Sequence, residues 1–252
     1  MKDSADIRKI LQTWPYDADK DARIIQGEDG REILQVRTPV GLEQYELDGR
    51  PDGARPHDME SALEFYLQRL EQARTKDSEF KLGQRECNEL FSEGTLYYFR
   101  YVRLFQLKDW TRTIRDTERN LRVFDLIHEY ARREEDQEFL EKWRPYIIRI
   151  HSTASAMVAL ERRDYNSALS IANEGLKKIE ALDDLDDESF QFERGRSLTA
   201  LRELASQIEK NRPLSELERL EHQLRRAIER QEFERAAQLR DRIRDLRKQQ
   251  VC

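Results

Sequence analysis

Residues 214–247 read LSELERLEHQLRRAIERQEFERAAQLRDRIRDLR, and the spacing of their apolar residues is the clearest structural signal in the chain. Leu217, Leu220, Leu224, Ala227 and Ile228 recur at steps of three and four, so they share one face of a helix. Ala236, Leu239, Ile243 and Leu246 do the same on a second segment. Gln231-Glu232-Phe233-Glu234 interrupts the two. Two amphipathic helices of about four turns, joined by so tight a link, hide their stripes only by packing antiparallel. Such a hairpin buries little apolar area by itself, so Phe233 and the Leu/Ile stripes call for a covering partner.

This stretch resembles the UVR motif, named from the B and C subunits of the bacterial excision-repair nuclease. The resemblance rests on Leu220, Leu224 and Ala227 in the first helix. It continues through Phe233-Glu234, Ala236-Ala237, Leu239-Arg240-Asp241, Ile243 and Leu246. Leu224 replaces the usual methionine, and Gln231 stands where an apolar residue is usual. The resemblance implies a bacterial protein whose hairpin pairs with a like hairpin, including its own copy, or docks onto a repair-nuclease subunit or an AAA+ protease regulator. It implies that Leu217, Leu220, Leu224, Ala227, Phe233, Ala236, Ala237, Leu239, Arg240, Asp241, Ile243 and Leu246 form the partner-binding set. Arg240 and Asp241 would set orientation through ion pairs, at little energy if exposed. The plainer alternative is a terminal hairpin that packs back on its own helical body. The phosphate loop of the helicase subunit, the nuclease domain of the C subunit and the paired Cys-x-x-Cys zinc sites of arginine-kinase activators are absent from the sequence.

Outward from the hairpin, Asn211-Arg212-Pro213 marks a boundary, because the residue before proline disfavours the helix. The acidic link 183–188 precedes a helix expected over Phe190–Lys210. Upstream, Met59, Leu63, Tyr66 or Leu67 and Leu70 mark a helix with Asp58 as its cap. Cys87, Leu90, Phe91, Gly94, Tyr98, Tyr101 and Phe105 mark the next; Ile114, Leu121 and Phe124 continue on another. Phe139, Trp143, Ile147, Ile150, Ala154 and Met157 line one more helix, opened or bent at Pro145. Ala168, Ile171, Ala172 and Gly175 give a narrow face of small residues.

Lys108-Asp109-Trp110, Arg163-Asp164-Tyr165 and Gln231-Glu232-Phe233 form a weak internal repeat, each placing an acid and an aromatic between two helices. Residues 156–175 resemble a tetratricopeptide repeat, which suggests stacked helical hairpins. Residues 1–57 differ: after a helical start and Trp14-Pro15-Tyr16, Ala22–Gln26, Arg31–Arg37 and Leu42–Leu47 read as a small antiparallel β-meander. The expected organisation is therefore a β-meander over 1–57, a tetratricopeptide-like helical-hairpin domain over 58–210 and a UVR hairpin over 214–249.

Composition agrees with a mainly α protein: 38% charged, 38% hydrophobic, with 9 glycines and 6 prolines in 252 residues. No apolar run reaches the roughly 20 residues that span a bilayer, and the N-terminus lacks a signal-peptide core, so the expected location is cytoplasmic. Cys87 and Cys252 are too few and too distant for a disulfide framework. The net charge of -6 is uneven: residues 211–252 carry 11 Lys and Arg against 8 Asp and Glu, and the remainder carries 34 against 43. Nucleic acid could therefore contact only the C-terminal arm, through Arg225, Arg226, Arg230, Arg235, Arg242, Arg244, Arg247 and Lys248. Interleaved acids and a single aromatic, Phe233, argue against it.

Catalytic chemistry finds little support. His57, His128, His151 and His222 are scattered without ligand spacing, and His128 reads as a helix-surface group. No metal or cofactor is expected. The loop Gly49–His57 holds Arg50 and Arg55 with two glycines and could receive a phosphate, although a simple strand-to-helix connection explains it as well. The sequence reading is thus a non-enzymatic adaptor that docks through its UVR hairpin, with accessory DNA binding in excision repair as the alternative.

Overall fold

The computed structural model describes residues 6–214 and 216–249, with side chains for all of these but 218 and 247–249. It is 67% helical, with one three-stranded sheet near the N-terminus. The order is α1 (Arg8–Thr13), β1 (Ala22–Gln26), β2 (Glu32–Thr38), β3 (Gly41–Glu46), then α2 (Ala62–Thr75), α3 (Gln84–Gln106), α4 (Trp110–Tyr130) and α5 (Glu134–Glu141). There follow α6 (Arg144–Glu161), α7 (Tyr165–Glu180), α8 (Glu188–Asn211), α9 (Glu216–Glu229) and α10 (Phe233–Gln249). Two compact units divide between Ser206 and Gln207, within α8.

The sheet is an antiparallel meander in the order β1-β2-β3. Ile24 pairs with Leu34, and Leu34 with Tyr45. Leu34, Val36, Leu47 and Leu104 of α3 form one buried cluster, so the sheet shares its core with a helix. On the opposite face Arg23 donates to Gln35 and Gln35 to Gln44, a polar ladder that covers the central strand. That ladder buries the outward residues too, which is why β2 shows no clean alternation of burial.

Arginines and carboxylates then pin the sheet to the helices. Arg100, fully buried on α3, holds Asp116 of α4 bidentately at 2.7 and 2.8 Å and donates to the carbonyls of Glu46 and Gly49. Glu93 accepts from the N–H groups of Ala62 and Leu63, satisfying two otherwise orphaned donors at the start of α2. Glu93 also pairs with Arg50 at 3.0 Å and with Arg119. The Tyr97 ring lies 3.7 Å from the Arg119 guanidinium and 4.8 Å from that of Arg100. Removing one partner from such a network leaves a buried charge uncompensated, at a cost of about 3–5 kcal/mol.

Three sequence expectations are corrected. Ser61, not Asp58, caps α2 through its side chain; Asp58 sits in a short 3-10 turn with φ 58°. The stripe of α3 runs Cys87, Leu90, Glu93, Tyr97, Arg100, Tyr101 and Leu104, because the buried ion pairs put charges where an apolar count expects none. Phe91, Gly94 and Tyr98 fall to its side. Phe139 and Ile147 lie on separate helices, α5 and α6, with Pro145 opening the second.

Candidate functional site

The hairpin corner repeats a local geometry found twice in the larger unit. Lys108, Arg163 and Gln231 have φ of 61°, 60° and 60°, the left-handed turn that ends a helix. The next residue donates its N–H back five positions each time: Asp109 to Leu104, Asp164 to Ala159 and Glu232 to Ala227, at 2.9, 2.9 and 2.8 Å. An acid and then an aromatic open the following helix. Asp109 and Asp164 accept from the N–H groups of Arg112 and Ser167, as N-caps do. Glu232 pairs instead with Arg235 at 3.2 Å.

The aromatics differ sharply in surroundings. Trp110 is 8% exposed and Tyr165 is partly buried, whereas Phe233 is 70% exposed. Within the hairpin Leu220, Ala227 and Ile243 are buried. Leu217, Leu224, Ala236, Leu239, Asp241 and Leu246 are partly buried, and Ala237 and Arg240 are exposed. Phe233 and Ala237 lie one turn apart on one face of α10. Ile228, in the last turn of α9, is also exposed, at 54%. The twelve residues singled out from the sequence thus divide into an interior set and an outer set led by Phe233.

Ion pairs dress the outside. Arg242 on α10 meets Glu216 on α9 at 3.0 Å, and Asp241 meets Arg240 at 3.6 Å and Arg244 at 3.4 Å. These pairs are solvated and worth little each. The side chains of Arg247 and Lys248, and Cys252, lie outside the described residues.

Several of the other sequence candidates are engaged within the chain. Arg50 is held by Asp52 at 2.8 Å as well as by Glu93, so the Gly49–His57 loop binds its own arginine. His57 meets Glu89 at 2.9 Å and stacks on Phe65 at 3.9 Å. Burial pushes the Cys87 thiol up to about 11, far from a thiolate nucleophile at neutral pH. Among the described residues no group of His, Cys, Asp and Glu is placed to hold a metal ion, and no helix is long and apolar enough to cross a membrane.

Two packed helices, joined by a Schellman-type corner and burying Leu220, Ala227 and Ile243, form an antiparallel helical hairpin. Residues 215–249 match the UVR family model, the UvrB/uvrC motif, over about one seventh of the chain. The C-terminal hairpin is a UVR motif. No match is found among curated proteins or among solved structures.

Proposed function

We propose that the protein is a non-enzymatic adaptor, with the UVR hairpin over residues 214–249 as its docking unit and residues 1–210 as the body it carries. The observation that supports this is the exposure of Phe233 at the hairpin corner, with Ala237 one turn along the same face. Covering a phenylalanine contributes about 1.5–3 kcal/mol, so this side chain is the natural anchor for a partner. The occupant is another helical hairpin, on a second copy, on a repair-nuclease subunit or on an AAA+ regulator.

Phe233→Asp tests the reading. The substitution should remove partner capture from a native lysate and leave the melting of the body unchanged, since the side chain it replaces is exposed. Capture that survives Phe233→Asp sinks the reading. Direct DNA binding by the same arm is disfavoured because Arg235, Arg240, Arg242 and Arg244 each have an acidic neighbour on the hairpin. Binding to duplex DNA that weakens steeply with added salt would revive it.

A further inference from the structure

Far from the hairpin in sequence, the larger unit holds a half-open cavity of about 440 Å³ between α3, α4, α5, α6 and α8. That volume falls in the range of roughly 300–1,000 Å³ typical of small-molecule sites. Half of the residues that line it are aromatic. Phe91 and Phe139 meet at 4.7 Å between centroids beside Trp143. Tyr98 meets Tyr101 edge-on at 5.6 Å and Tyr146 at 6.0 Å. Phe139 and Trp143 are 50% and 41% exposed, a large apolar area left to solvent at the rim.

Among these rings stands a buried carboxylate. Glu193 of α8 lines the cavity, is 7% exposed, and its Oε2 accepts no hydrogen bond. Arg149 lies 4.0 Å from that oxygen, and Arg196 lies 3.5 Å from Oε1. Those distances balance the charge but are too long to fill the lone pairs. Oε2 is closed off and faces Arg149, so a ligand's donor would meet Oε1, which likewise carries no hydrogen bond; an under-paired carboxylate beside a ring-walled cavity is suited to a ligand that brings the donor. A cationic ligand would meet Arg149 and Arg196 across the same carboxylate, and Lys142 already lies 5.3 Å from the Phe139 ring. The electrostatics therefore favour a neutral N–H or O–H.

We infer that this cavity is a binding site for a small planar aromatic molecule carrying one neutral donor, of the indole or phenol class, held between the aromatic walls with its donor on Glu193. Gly94 of α3 fits this role. A Cβ there would meet nothing closer than 3.9 Å, so alanine would fit and favour the helix, yet glycine keeps the wall open.

The test is calorimetric titration of the full chain with indole, 1-methylindole and tryptamine. Indole should bind saturably, and 1-methylindole, with the same ring but no donor, should bind roughly tenfold or more weakly. Glu193→Leu, which removes the acceptor where glutamine would keep a carbonyl oxygen, should bring the two within about threefold of each other, and Trp143→Ala should weaken both. Phe233→Asp should leave all of this intact, which separates the site from the hairpin. No saturable binding at millimolar concentration overturns the inference, as does equal affinity for the methylated pair. Tryptamine binding tenfold tighter than indole would overturn the neutral-donor assignment. A tryptophan-bearing peptide binding tenfold tighter than indole would overturn the assignment to a free small molecule. A Glu193→Leu variant that loses stability but keeps the discrimination would make the carboxylate a structural group only.

Discussion

The corner at Trp110 and the corner at Phe233 share an architecture but not their surroundings. Each ends one helix on a left-handed residue and opens the next with an aromatic. In the larger unit neighbouring side chains cover the ring, Trp110 packing edge-on to Phe105 at 5.3 Å, and the corner serves the core. In the UVR hairpin the ring faces solvent, and the corner offers a surface. The same local rule thus makes either a packing element or a docking element, and the difference lies in what stands next to it.

Substitutions can break this comparison. Trp110→Ala should cost about 3–5 kcal/mol, the usual loss for a buried large aromatic, whereas Phe233→Ala should change stability by less than about 0.5 kcal/mol. Urea unfolding of both variants measures the gap, and equal losses would erase the distinction. The second body hairpin depends on close approach: a Cβ at Gly175 would fall 2.4 Å from Ser152 Oγ and 3.1 Å from Leu201. Gly175→Ala should therefore destabilise by about 1–3 kcal/mol despite its better helix propensity, readable as a fall in thermal midpoint. Asp164→Ala removes a cap and should cost about 1 kcal/mol by the same measurement, while Glu232→Ala, without a capping bond, should cost less.

The pH dependence should also belong to the body. Burial holds His151 below its ordinary 6.5, with Lys178 acting in the same direction and Glu118 opposing. The folded chain keeps the ring neutral while the unfolded chain takes up a proton below about 6.5, so stability present above that pH is lost as the pH falls through it. Urea midpoints at pH 7.5 and 5.5 should show this decline, and His151→Gln should flatten it.

Much of this fold was legible from periodicity. The helical content, the N-terminal meander and the C-terminal hairpin all follow from apolar spacing and glycine placement. The repeat of acid and aromatic after Lys108, Arg163 and Gln231 pointed to three corners, and all three proved to be left-handed helix ends. What stayed hidden was polar burial. Glu93, Arg100 and Asp116 fall outside the apolar stripes read from the sequence, yet they sit at the centre of the larger unit because their partners come from distant segments. The spacing of Glu93 and Arg100, seven apart in line with Cys87, Leu90, Tyr97 and Leu104, was the available signal. Glu193 was invisible for the same reason: its significance comes from rings on α3, α5 and α6 that no local pattern links to α8.

The most direct test of the docking reading is site-specific photocrosslinking in native lysate, with p-benzoylphenylalanine at position 233 in one sample and at position 110 in another. The account predicts a discrete adduct from position 233, with another protein or with a second copy of the chain, and only internal crosslinks from position 110. Internal crosslinks alone from position 233 would contradict it and make the hairpin a terminal packing element.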